Sequence, residues 1–327
     1  MKSDRPDGAP SHRFLRTLGA VLGALAVTAA VVARSARRTE RAHPPAGRFV
    51  EANGVKLHYI ERGTGSPVVL LHGNGVSALD WEVSGVLGVL AASHRVIAFD
   101  RPGFGYSARP RGRAWTPVQQ AELIHAALDI LGVVRPIVVA HSWATLVALA
   151  LALDFPADVA RLVLVSGYYF PSLRLDPVLQ APSATPVLGD VLRWTVAPVL
   201  GRLMTPLALR HLFAPAPVPE RFARFPLSMS RRPGQLRASA QEAVLMVPAA
   251  MQLQHRYGNL GVPVTIIAGA GDAVASASAQ SNRLSHILMQ SDADIVADAG
   301  HMVHYAVPER VIAAAREGTA ALVPTVR

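Results

Sequence analysis

Short, uncharged apolar runs recur along this chain between longer stretches of helical periodicity. Val68–Leu71, Val96–Phe99, Ile137–Ala140, Leu162–Val165, Val264–Ala268 and Ile295–Ala297 are too brief for helices and carry no charge, as expected of strands buried on both faces. Ahead of them, Phe49–Ala52 and Lys56–Glu61 alternate about Asn53-Gly54, a dipeptide that supplies the positive φ values of a tight type I′ hairpin turn. Helices are predicted between the runs, most clearly over Pro117–Leu131, Thr145–Asp154 and Pro308–Leu322. Strands alternating with helices predict an α/β fold with a mostly parallel, eight-stranded sheet covered on both faces.

The rhythm is interrupted twice. From residue 170 to 261 the chain is rich in proline, arginine and helix-like apolar runs and lacks strand-helix alternation. About ninety residues without structure of their own are unusual in a compact domain, so this stretch is expected to form an inserted helical cap over the carboxyl edge of the sheet. Residues 42–169 and 262–327 then form the α/β core. The second interruption is N-terminal: Thr17–Ala33 reads TLGAVLGALAVTAAVVA, uncharged throughout. As a helix it reaches about 26 Å against a hydrocarbon core of about 30 Å, with arginines on both sides to snorkel. Residues 1–41 are expected to anchor the chain in a membrane through residues 17–33. A cleaved secretory signal is the competing expectation, since Val31 and Ala33 offer a small-residue cleavage site, although Arg34, Arg37 and Arg38 follow at once. A buried core helix is the third, opposed by apolar character all the way round. Arg37–Gly47 (RRTERAHPPAG) reads as a linker. The basic flanks nearly balance and assign no side of the membrane.

Composition changes this picture little. The net charge is +10 with only two lysines, Lys2 and Lys56. Lys2, Arg5, Arg13, Arg16, Arg34, Arg37, Arg38 and Arg41, set against Asp4, Asp7 and Glu40, place half of that excess in residues 1–41, where it suits an anionic lipid surface. No basic stripe interleaved with aromatics points to nucleic acid, and none is expected as a partner. Cysteine is absent, which removes a disulfide framework, a thiolate metal site and a cysteine nucleophile together. No metal or cofactor is expected, and the oligomeric state is left open.

Candidate chemistry gathers at the ends of the predicted strands. Ile137–Ala140 runs into His141-Ser142-Trp143-Ala144-Thr145 and then a helix. In the nucleophile elbow, G-x-S-x-G, small residues two before and two after a serine let a sharp strand-to-helix turn lift its Oγ above the sheet. Here both glycines are alanine, Ala140 and Ala144. A lone serine after a strand is more commonly a helix N-cap, so other signals must decide. Leu71-His72-Gly73-Asn74-Gly75 ends a buried strand in a glycine-flanked loop, and acyl transfer needs two backbone N–H donors aimed at a developing oxyanion. The candidates are the N–H groups of Asn74 and Trp143. Asp272 follows strand Val264–Ala268, placed to hold a histidine in the right tautomer, and His301 follows Ile295–Ala297. Ser142, Asp272 and His301 are therefore the expected catalytic residues. His304 is the alternative base and Asp298 the alternative acid. His72 and His141 are expected to satisfy local hydrogen bonds. Arg221, Arg224, Arg231, Arg232 and Arg237 are read as solvated, with an acidic substrate as the other reading, and His255 is unassigned.

From about Arg48 onward the chain resembles the α/β-hydrolase superfamily. The matching residues are His72-Gly73, the run Asp100-Arg101-Pro102-Gly103-Phe104-Gly105-Tyr106-Ser107, His141-Ser142-Trp143, Gly269-Ala270-Gly271-Asp272, and Gly300-His301 followed by Pro308-Glu309. The resemblance is specific for the fold and much less so for the substrate. It implies that the Asp100–Ser107 run is a tight turn shaping one wall of the site. Dehalogenases and epoxide hydrolases of this superfamily attack with aspartate, so serine at position 142 implies acyl transfer to water through an acyl-serine intermediate. The expected function is a serine hydrolase cleaving an ester-like bond of a small hydrophobic molecule. The alternatives are a carbon-carbon hydrolase or perhydrolase using the same triad, or a catalytically silent, membrane-tethered binding protein.

Overall fold

The computed structural model describes residues 12–173 and 175–320. The uncharged runs pair because each can be buried on both sides. β1 (Arg48–Ala52) and β2 (Val55–Arg62) form an antiparallel hairpin about Asn53 and Gly54, at φ of 48° and 70°. β3 (Pro67–Leu71), β4 (Arg95–Phe99), β5 (Ile137–His141), β6 (Arg161–Val165), β7 (Val264–Gly269) and β8 (Ser291–Val296) are mutually parallel. The strand order is β1-β2-β4-β3-β5-β6-β7-β8 in one eight-stranded sheet.

Helices cover both faces. The described residues begin with α1 (His12–Ala42); α2 (Leu79–Val83) and α3 (Val86–Leu90) follow β3, and α4 (Pro117–Ile130) and α5 (Ala144–Asp154) flank β5. Between β6 and β7 come α6 (Asp176–Ala184), α7 (Leu188–Trp194), α8 (Val196–Phe213), α9 (Leu227–Ser230) and α10 (Pro233–Leu253). α11 (Arg283–Ser285) precedes β8, and α12 (Val303–Ala306) and α13 (Pro308–Ala320) close the described chain. Residues 321 and 322, which complete the predicted last helix, lie outside the described residues. Val69, Leu71, Val138 and Ala140 point into a core shared with α4 and α5, while Val68, Leu70, Ile137 and Val139 point into one shared with α3 and α13. Each such fully buried Val or Leu is worth about 1.5–3 kcal/mol over its exposed state, which is why a charge is tolerated on neither face. α4 starts where the sequence directs it, with Thr116 and Gln119 forming a reciprocal capping box ahead of Pro117.

Two boundaries depart from expectation. β8 begins at Ser291, ahead of the predicted Ile295. It is an edge strand, so Asp292 and Ala293 are exposed and Asp294 meets Arg310 at 2.7 Å; polarity hid its first half. The supposed linker is also helical as far as Ala42. No breaker occurs before Pro44, and the last turn of α1 is held by Glu40, whose carboxylate accepts from Arg232 at 2.9 Å, and by Tyr106 Oη against the His43 carbonyl. α1 is long and apolar enough to cross a membrane by length and composition.

Candidate active site

The ladder between β5 and β6 ends at the pair His141 and Val165, and the chain turns at once. Ser142 sits at φ 54°, the left-handed region that costs a residue with a Cβ about 1–2 kcal/mol. Its N–H donates to Val165 O at 2.9 Å, and its carbonyl accepts from Thr145 Oγ1 at 2.7 Å as α5 begins. Ala140 and Ala144 are fully buried, so sheet and helix close around a methyl where the elbow pattern has hydrogen. Gly73 supplies the room on the other side. A Cβ there would lie 2.8 Å from His141 Nδ1 and 3.1 Å from Ser142 Cβ, so only glycine lets the β3 loop pass so close.

Ser142 Oγ lies 2.8 Å from His301 Nε2, and His301 Nδ1 lies 2.8 Å from Asp272 Oδ2. The other oxygen of Asp272 accepts from the N–H groups of Val274 and Ala275, each at 2.8 Å. The carboxylate is thereby fixed on one side and offered to the histidine on the other. Asp298 is exposed at φ 56°, away from this group, and His255 is exposed as well. Among the described residues, the backbone N–H groups of Asn74 and Trp143 are taken up by no other group. Asn74 is held by its side chain, which donates to Ser239 O at 3.0 Å, and Trp143 by its indole N–H, which donates to Glu242 O at 3.0 Å. Ser142, His301 and Asn74 line a cavity of about 270 Å³ roofed by Thr205, Leu209 and Leu212 of α8.

The other histidines are placed differently. Burial, with the Arg101 charge beside it, pushes His72 down to about 3, so it is neutral and accepts from the Arg101 N–H at 3.0 Å. Burial, then His304 and His301, also hold His141 well below the ordinary imidazole value; its Nε2 lies 3.1 Å from the carbonyl of His301. His304 Nε2 lies 2.9 Å from Asp80 Oδ2, and Tyr305 Oη donates to Asp80 Oδ1 at 2.9 Å. Asp80, His141 and His304 offer three ligand atoms within 4.8 Å of one another. Both oxygens of Asp80 have partners within the chain, Oδ2 at His304 and Oδ1 at Tyr305, while Nδ1 of His141 and of His304 meets no hydrogen-bond partner among the described residues.

The Asp100–Ser107 run makes the expected turn but lines none of the described wall around Ser142. Burial alone would raise the pKa of Asp100; bonds from His58 and the N–H of Ala78 outweigh it and hold the carboxyl below its ordinary range. Gly105, at φ 51°, packs against that carboxylate with no space for a Cβ. Arg101 turns away and is fully buried against Glu242 of α10, its Nη2 3.0 Å from Oε2. Sequence reasoning missed Glu242; its signal is a lone carboxylate on the apolar stretch of α10. Three arginines read as solvated, Arg221, Arg232 and Arg237, instead donate to the carbonyls of Tyr305, Gly105 and Arg109.

Residues 66–306 match the family model described as alpha/beta hydrolase fold. The chain belongs to the α/β-hydrolase family. Within it, the chain is 37% identical over 122 residues to the 2-hydroxy-6-oxo-2,4-heptadienoate hydrolase of Pseudomonas putida, covering 37% of this chain and 44% of that protein. It is 31% identical over 149 residues to the cis-3-alkyl-4-alkyloxetan-2-one decarboxylase of Shewanella oneidensis, covering 44% and 46%. The chain thus spans about half the length of the curated relatives it matches. Among solved α/β-hydrolases, a fold member from Burkholderia ambifaria superposes with a TM-score of 0.70 at 22% identity, covering 83% of this chain and 97% of that one. At that identity the likeness concerns the fold alone.

Proposed function

We propose that this α/β-hydrolase is a serine hydrolase that cleaves an ester-like bond of a small hydrophobic molecule, with Ser142, His301 and Asp272 as its catalytic residues. One observation carries the proposal: Ser142 Oγ, His301 and Asp272 are joined by two contacts of 2.8 Å, and the serine faces a cavity. His301 takes the Oγ proton as Ser142 attacks the carbonyl carbon. The N–H groups of Asn74 and Trp143 receive the oxyanion. The ester C–O bond breaks, and the alcohol leaves with the proton held by His301. Water then attacks the acyl-serine, gives its proton to His301, and the acid departs as that proton returns to Ser142. Asp272 orients the imidazole and stabilises its charged form. Residues 170–261 serve as the cap, and residues 17–33 hold the enzyme at a membrane.

A carbon-carbon hydrolase is the second reading, favoured by the similarity to the Pseudomonas putida dienoate hydrolase. Product analysis on ester and vinylogous diketone substrates separates the two. The deciding experiment for both is Ser142→Ala. Hydrolysis is expected to fall by about 10⁴-fold or more with the fold retained, and fluorophosphonate labelling of the parent to disappear. A variant as active as the parent sinks the assignment of Ser142, and a parent that neither hydrolyses an ester nor takes the label leaves a silent binding protein.

A further inference from the structure

α8 is apolar on two opposed faces. Thr205, Ala208, Leu209 and Leu212 look into the cavity with Ser142 and His301. Val196, Val199, Leu200, Leu203, Met204 and Leu207, at spacings of three and four, form a stripe along its outer side. That stripe is open to solvent, with Leu203 72% and Leu207 61% exposed, and Leu179 of α6 and Leu188 of α7 are exposed as well. A soluble monomer rarely leaves such a contiguous patch uncovered.

What covers it is indicated by α1. The apolar stretch of that helix ends at Ala33, and Val31 and Val32 line one groove with Pro198 and Val199 at the start of α8. The groove is edged by Arg202 and Arg231, and Arg34, Arg37 and Arg38 follow on α1 itself. The level at which α1 passes from apolar to basic is therefore the level of Val199, where the outer stripe of α8 begins, and both helices carry arginines suited to anionic headgroups.

We propose that α8 lies in the surface of an anionic bilayer beside the α1 anchor. Resting on the hydrolase function assigned to Ser142, we further infer that the substrate is an acyl ester dissolved in that bilayer, which enters the cavity past α8. An interfacial helix of this kind sinks its apolar face about 5–10 Å into the headgroup boundary.

The chain has no cysteine, so Leu203→Cys and, as a control, Glu122→Cys on the exposed side of α4 each take a single bimane label in the full-length protein. In phosphatidylcholine and phosphatidylglycerol vesicles, the label at position 203 should be quenched by lipid-borne nitroxide and shielded from iodide, and the one at 122 the reverse. Iodide quenching at 203 as strong as at 122 overturns the docking. Full-length Leu200→Glu, Leu203→Glu and Leu207→Glu combined should slow turnover of a vesicle-dissolved long-chain ester by about tenfold or more, with a water-soluble short-chain ester within about twofold. Equal loss on both esters, or loss on neither, overturns the route. A parent inert on both esters whose position 203 is nevertheless lipid-shielded sinks the hydrolase function and leaves the docking standing.

Discussion

Two histidine-carboxylate pairs sit side by side in this molecule, built from histidines three residues apart. In one, His301 Nδ1 meets Asp272 at 2.8 Å and its far nitrogen reaches Ser142; in the other, His304 Nε2 meets Asp80 at 2.9 Å and its far nitrogen has no partner among the described residues. The ring of His141 lies between them, 5.1 Å from His301 and 4.4 Å from His304. The first pair borders a cavity, whereas the side chains of the second are sealed from solvent. Pairing a histidine with a carboxylate is thus common to both. What separates them is an outlet, a hydroxyl and a space beyond it, so the first pair is equipped for proton transfer and the second for holding α2 to α12.

The largest expected effect tests that division directly. His301→Ala should lower kcat/KM for ester hydrolysis by about 10⁴-fold, and Asp272→Asn by about 10³–10⁴-fold. His304→Ala, assayed per folded molecule, should stay within about tenfold of the parent. Equal losses at 301 and 304 would break the comparison. Next in size is stability. His304→Ala leaves a buried carboxylate with Tyr305 alone and should cost about 3–5 kcal/mol in urea unfolding, more than Asp272→Asn, whose carboxamide oxygen still accepts from two backbone N–H groups.

The smallest effect concerns acid. His72 and His141 are held below the ordinary histidine value in the folded chain, so between the folded and unfolded pKa values the unfolded state binds more protons. Their contribution to stability is complete above about pH 6.5 and falls away as pH drops toward the folded values. Urea unfolding at pH 6.5, 5.5 and 4.5 should show that decline, and His141→Gln should remove its share.

The strands, the hairpin and the residues at the strand ends were legible because each depends on a local pattern. The alternation about Asn53-Gly54 and the uncharged run before Ser142 say what they become without reference to the rest of the chain. Smallness at positions 140 and 144 was likewise readable, although the glycine pattern itself is missing. The partnership of Arg101 with Glu242 was not, because 141 residues separate them and a buried ion pair leaves only two isolated charges in the sequence. The first half of β8 was masked by the polarity an edge strand can carry. The double character of α8 was equally hidden: its apolar positions announce a helix, but which face meets a cavity is set by packing.

The grip of α10 on the core has a consequence for how this protein can be re-engineered. The indole of Trp143, the residue after Ser142, is tied to the Glu242 carbonyl, and the Glu242 carboxylate is tied to Arg101. The inserted helices are consequently not an interchangeable module. A chimera that grafts residues 170–261 from another hydrolase onto this core must inherit positions 101 and 242 together, or it will strand a guanidinium beneath the elbow and loosen the turn that presents the serine.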